Sequence, residues 1–273
     1  MYMRLKDGKR KVLTLSYDDG AIQDPKLVGI LDAYGLKGTF NLNAGVFIPG
    51  NETLFYERMS LAEAKELYID SGHEVAGHTL MHTELDRLKN DEVVCEIIED
   101  RRILEREFKT IVRGMAYPYG NYNDEVIDIL KKCGICYART TKSTEDFAFP
   151  KDWMEFDPTC RHKNPKLMEL AKRFVTEDCR RIGENWMFCV MGHSFEFDHA
   201  NKWEIMEEFA KYIGGREDIW YATNGEIYDY VKAYEHLQTS ADKKIVYNPS
   251  ATDVWVYIGN QTYVIKGGET LYL

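Results

Sequence analysis

Short apolar blocks alternate with longer amphipathic stretches over most of the chain. Runs at 11–17 (KVLTLSY), 37–42 (KGTFNL), 73–77 (HEVAG), 113–117 (RGMAY), 135–139 (ICYAR), 186–191 (WMFCVM) and 219–222 (IWYA) have the length and the β-branched or aromatic content of buried strands. Between them, helices are predicted near 25–34, 60–71, 90–108, 123–133, 165–182, 201–213 and 224–237. The clearest is 90–108, where Val93, Ile97, Ile98, Leu104 and Phe108 recur at near-helical spacing with acids and arginines between them. Such stripes are core-facing surfaces. Alternation of this kind predicts parallel strands joined by crossover helices, in an open doubly wound sheet or a closed barrel. No GxGxxG or GxxxxGK[ST] follows any strand, and polar residues recur just after several different strands, which favours the barrel.

The pattern changes near residue 240. The stretch KKIVYNPSATDVWVYIGNQTYVIKGGETLYL contains short β-rich runs broken by NPS, GN and GG, so two or three antiparallel strands are expected. The expected division is a barrel over 1–239 and a β extension over 240–273, packed on the barrel. Trp255, Tyr257, Tyr263 and Tyr272 could offer a sugar-stacking surface, but packing on the barrel is the favoured expectation, since isolated hairpins are marginal in water.

Composition narrows the partners. A length of 273 residues suits an undivided strand–helix barrel, and 44% hydrophobic against 29% charged residues suits a globular chain with a sizeable core. The formal net charge of −10 argues against a nucleic-acid or anionic-membrane surface, which needs clustered Lys and Arg. No apolar stretch reads as a leader or a membrane span, so the expected location is cytoplasmic. Six scattered cysteines, the CGIC pair Cys133 and Cys136 among them, read as reduced structural thiols.

Candidate chemistry gathers at the predicted strand ends. Asp18 and Asp19 follow the first strand in TLSYDDG; His78 and His82 follow the third in GHEVAGHTLMH; Tyr119 follows the fourth in AYPYG; His193 follows the sixth in MGHSFEFD. A helical turn would put His78 and His82 on one face, at a spacing a divalent metal can bridge. One carboxylate would complete a set of two histidines and one acid that leaves positions for water and substrate. Two adjacent aspartates at a buried strand end are costly unless one ligates a cation and the other is held ionised beside it. Asp19 is therefore the expected ligand, and Asp18 the base that takes a proton from the attacking water.

In order and position, TLSYDDG, HTLMH, AYPYG and MGHSF resemble the signature motifs of the polysaccharide deacetylases, the fourth carbohydrate esterase family, of NodB-homology type. The resemblance spans about residues 11–237. It implies an α/β fold, a distorted (β/α)7-type barrel with the small β-rich appendage outside it. It implies a hydrolase that removes acetyl groups from N-acetylated or O-acetylated saccharides, with zinc as the divalent ion and cobalt, manganese or nickel as alternatives. Position by position, it implies Asp18 as general base, Asp19, His78 and His82 as metal ligands, His193 as general acid, and a backbone N–H such as that of Tyr119 as an oxyanion donor. The family's arginine two residues before Pro-Tyr-Gly is missing, since Ala116 stands there. Arg139, at the end of the fifth strand, is the expected substitute to neutralise Asp18, ahead of Arg113. The loop at 143–165 is expected to line a substrate groove, with Trp153 stacking on a sugar ring and Asp152 or His162 touching polar groups or supporting His193. Two other readings stay open: a metal-dependent hydrolase of a cyclic ureide or imide, and a non-catalytic carbohydrate-binding barrel.

Overall fold

A computed structural model describes residues 1–51 and 57–273. After β1 (Tyr2–Arg4) come β2 (Lys11–Asp18), α1 (Asp24–Ala33), β3 (Gly38–Leu42), α2 (Leu61–Tyr68), β4 (Glu74–Gly77) and α3 (Asn90–Phe108). The chain continues through β5 (Gly114–Ala116), α4 (Asp124–Lys132), β6 (Tyr137–Arg139), β7 (Cys160–Arg161), α5 (Leu167–Thr176) and β8 (Trp186–Gly192). It ends with α6 (Phe195–Ala200), α7 (Trp203–Ile213), β9 (Ile219–Tyr221), α8 (Asn224–Glu235), and the strands β10 (Gln238–Thr239), β11 (Ile245–Tyr247), β12 (Val254–Ile258), β13 (Gln261–Ile265) and β14 (Thr270–Tyr272).

The main sheet is parallel, in the order β6-β5-β4-β3-β2-β8-β7, with β9 joined to the start of β2. β2 is its axis. All eight of its residues are buried, because helices cover the outer face and side chains from other strands fill the inner one. The sheet curls into a distorted barrel. One extended segment draws its edges together: Phe156 bridges to Arg139 of β6, and four residues on, Cys160–Arg161 pairs with β8. Sequence reasoning did not identify this segment as a strand, because Pro158 and the polar residues around it give no strand period.

The largest apolar cluster lies between the sheet and α1, α2, α5 and α7, around Leu15, Phe40, Leu31, Phe174, Phe188 and Phe209. A second, with Leu5, Val12, Tyr137, Trp153, Trp220 and Tyr230, fills the end of the barrel where the strands begin. The closing strands form two small antiparallel sheets, β1-β12-β13 and β10-β11-β14. The first recruits the N-terminus, where β1 carries too little pattern to be recognised on its own. Tyr230 of α8 donates to the Arg4 carbonyl at 2.6 Å and accepts from the Trp255 amide at 2.9 Å, and the Arg4 guanidinium lies 4.3 Å from the Tyr257 ring centre. Tyr272, by contrast, is exposed. Among the described residues no helix is long and apolar enough to cross a membrane.

Candidate active site

Parallel strands deliver their C-terminal ends to one rim, and the polar residues that follow them meet there. Asp19 Oδ1 lies 3.7 Å from His78 Nε2 and 3.5 Å from His82 Nε2. His193 Nε2 lies 3.9 Å from Asp18 Oδ2 and 3.8 Å from Asp19 Oδ2. The five residues come from three separate strand ends. Asp18, Asp19 and His78 are buried, while His82 and His193 are partly open to the mouth.

The donor set can be tested for a cation on its own atoms. His78 Nδ1 is 2.8 Å from the Ala116 carbonyl oxygen. A carbonyl only accepts, so Nδ1 carries a hydrogen and Nε2 is the nitrogen left to serve a metal beside Asp19. Asp19 Oδ1 is buried and has no hydrogen-bond donor. A carboxylate oxygen left so costs free energy. The three ligand atoms of Asp19, His78 and His82 lie within 4.8 Å of one another, and a divalent cation among them would satisfy all three. The residues fit the group.

A helical turn does not produce this convergence. Residues 78–82 form a loop in which Thr79 and His82 adopt left-handed backbone, with φ of 64° and 56°. Such angles are unfavourable for residues with a Cβ and persist only where surrounding contacts impose them. Asp100 of α3 supplies one such contact, accepting from the His78 amide at 3.2 Å and from the Ala44 amide at 2.8 Å. Glu96, one turn earlier, accepts from the Met81 amide at 2.9 Å. Asn43 donates to the carbonyls of His78 and Thr79 at 2.5 and 3.0 Å. Burial pushes the Asp100 carboxyl up to about 8 despite these two amide donors.

Arginine answers the repulsion between the two acids. Arg139 is fully buried and donates to Asp18 Oδ1, to Ser16 Oγ at 3.1 Å and to the Thr140 carbonyl at 2.9 Å. Asn41 donates to the same Asp18 oxygen at 2.8 Å. Burial by itself would raise the Asp18 carboxyl, but Arg139, then His78 and His193, bring it down to about 2. Arg113 stands elsewhere, paired with Asp229 at 2.6 Å. A second arginine that sequence reasoning missed, Arg58, lies 2.8 Å from Asp19 Oδ2.

His193 faces a carboxylate that sequence reasoning also failed to name. Glu196 Oε2 is 3.7 Å from His193 Nδ1, and the same carboxylate holds Lys163 at 2.7 Å and Arg161 at 3.2 Å. Its place three residues on, within the short α6, is the signal that was available. Burial would lower the His193 imidazole; Glu196, together with Asp18 and Asp19, outweighs it, and the net direction is upward. Removing the Glu196 charge should therefore lower the pH at which His193 titrates. In the metal-free chain, Glu196→Gln should show this as a downward shift of the His193 ring signals in an NMR titration; an unmoved or rising midpoint would contradict the assignment.

The remaining expected site residues are divided. His162 is buried, its ring 5.7 Å from that of Tyr17 and 4.1 Å from that of Phe197, with Nε2 3.3 Å from Glu196 Oε2. It braces the Glu196 cluster from behind. Gly192 makes room for it, since a Cβ there would come within 2.0 Å of His162 Nδ1. Burial lowers the His162 imidazole to about 4. Tyr119 is exposed, with its ring edge against His82 at 4.8 Å. Trp153 does not reach the mouth: it is buried against Phe156 and Tyr228, in the cluster at the strand-start end. Its aromatic bulk is better buried than solvated. Asp152 caps the turn that follows, accepting from the Met154 amide at 2.8 Å, and does not support His193.

Residues 5–138 match the family model described as polysaccharide deacetylase. This stretch belongs to the polysaccharide deacetylase family. Among its curated relatives, a Bacillus subtilis protein, YxkH, assigned to the polysaccharide deacetylases is 23% identical over 137 residues, 50% of this chain and 47% of the relative. The chitooligosaccharide deacetylase of Bradyrhizobium is 28% identical over 146 residues, 52% of this chain and 61% of the relative. The chain thus spans about half the length of the curated relatives it matches. The solved structure of a Mycobacterium smegmatis protein assigned to polysaccharide deacetylases is similar over 86% of this chain and 94% of its own, with a TM-score of 0.60 and 18% identity. That likeness carries the barrel fold past residue 138.

Proposed function

We propose that this chain is a metal-dependent hydrolase that removes acetyl groups from N-acetylated or O-acetylated saccharides. The observation that carries the reading is the buried Asp19 oxygen without a donor, facing two imidazoles beside a second acid that is kept ionised. The family supports the same direction, and one relative is named for deacetylation of chitooligosaccharides.

Asp19, His78 and His82 would hold the divalent ion, with zinc the first candidate for two nitrogens and one carboxylate. When bound, the ion supplies a Lewis acid that polarises the acetyl carbonyl and makes water acidic enough to ionise near neutral pH. Asp18 takes the proton from the attacking water. Its Oδ1 is engaged by Arg139 and Asn41, while Oδ2 lies on the side of His193. A carboxylate held near 2 is a weak base, so it acts only on a water already made acidic. His193 protonates the leaving amine or alcohol, and Glu196 keeps it charged for that step. The Pro-Tyr-Gly turn at Tyr119 stands beside His82, at the rim where an oxyanion donor is needed.

The deciding experiment measures acetate release from N-acetylated chitooligosaccharides and O-acetylated xylooligosaccharides, alongside ring opening of small cyclic imides. Acetate released in proportion to bound metal is the expected result. Ring opening with no acetate would replace this reading by the imide hydrolase.

A further inference from the structure

Arg58 has a role that neither the motifs nor the family resemblance supplies. Its backbone is pinned onto the turn after β2: Arg58 forms an antiparallel bridge with Ala21, the Met59 amide donates to the Gly20 carbonyl at 2.9 Å, and the Ile22 amide donates to the Glu57 carbonyl at 3.0 Å. Beside it, Glu57 Oε2 lies 3.3 Å from His199 Nε2 at the far end of α6. The segment 57–59 therefore ties the turn that carries Asp19 to the helix that carries Glu196. The Arg58 guanidinium sits 5.9 Å from the Phe195 ring centre and 2.8 Å from Asp19 Oδ2.

This gives the two oxygens of one carboxylate opposite surroundings. Oδ2 is held by a cationic hydrogen-bond donor, while Oδ1 has none and faces His78 and His82. A carboxylate without other partners can grip a metal through both oxygens, and each extra ligand atom removes a position that water or substrate would use. A guanidinium already on Oδ2 opposes that, both by occupying the oxygen and by repelling a second cation from it. We propose that Arg58 is a positioning residue that restricts Asp19 to metal coordination through Oδ1 alone and so keeps the reactive side of the ion open. The proposal rests on the metal site described above.

The test loads the chain with cobalt(II) and compares wild type, Arg58→Met and Arg58→Lys by visible absorption, metal content, kcat and KM. Arg58→Met is expected to keep one cobalt per chain while its visible band weakens as the coordination number rises, and kcat should fall by about 10-fold with KM little changed. Arg58→Lys keeps a cation on Oδ2 and should retain the wild-type spectrum. A merely structural arginine would move the melting midpoint and leave the cobalt spectrum alone; identical spectra for wild type and Arg58→Met overturn the proposal. A crystal structure of the zinc-loaded wild type tests it without any variant, since both Asp19 oxygens on the metal would equally overturn it. Wild-type chain that takes up no cobalt would instead bring down the metal site itself.

Discussion

An Asp18→Asn chain should hydrolyse acetylated substrate 10²- to 10⁴-fold more slowly, the usual worth of a positioned general base, while still binding metal through Asp19, His78 and His82. It should also be less stable. Asp18 and Arg139 are both buried, and removing one partner of such a pair leaves an uncompensated charge that costs about 3–5 kcal/mol. The two effects can be separated with Arg139→Met. In the double variant the stranded charge is gone, so much of the stability should return while turnover stays low. Arg139→Met alone should lower turnover with metal content intact, because Asp18 loses the strongest influence that opposes its burial. Asp18 also leaves a signature in acid. Its folded-state value of about 2 lies below the ordinary aspartate value of 3.8, so the stability it contributes is present above the latter and is lost as pH falls toward the former. Urea melts between pH 5 and 2 should show that slope in wild type and a flatter one in Asp18→Asn. Wild-type turnover in Asp18→Asn would remove the base assignment.

Stripping the divalent ion should abolish hydrolysis, and His78→Ala should make the loss irreversible by added zinc. The effect is expected to be larger at His78 than at His82, because His78 is buried with its Nδ1 committed to the Ala116 carbonyl, whereas His82 is partly exposed. Binding to the folded chain also has to appear as stability: zinc at about 100 times its dissociation constant should add about 2.7 kcal/mol, read as a rise in melting midpoint. His78→Ala should show no such rise. An equal rise in both would mean that the ion binds elsewhere.

Much of the architecture was legible because a buried parallel strand and a one-sided helix impose different periods on their residues. The seven apolar runs fall on β2, β3, β4, β5, β6, β8 and β9, and the 90–108 helix has the bounds that its stripe predicts. What escaped was short or borrowed its stability from elsewhere. β1 exists because β12 offers it an edge, and β7 because the barrel needs its gap closed. Trp153 was read as a groove residue because a sequence shows a side chain's chemistry and not the direction in which it points.

The candidate site divides along the same line. Asp18, Asp19, His78, His82 and His193 could be singled out from the chain alone, because paired acids and spaced imidazoles at the ends of apolar runs are hard to account for as core or as surface. Parallel strands then oblige those ends to meet. Arg58, Glu196 and Asp100 are ordinary charged residues in ordinary helical or loop contexts, and only tertiary contact gives them their parts. The left-handed angles at Thr79 and His82 belong with them, since backbone of that kind is unfavourable locally and is imposed by Asp100, Glu96 and Asn43 from other elements. Local sequence thus determined which residues meet at the candidate site, through the period and polarity of each segment. Which oxygen stays free, which imidazole is charged and which arginine serves which acid were decided by the fold, because electrostatic effects depend on distances that only packing sets.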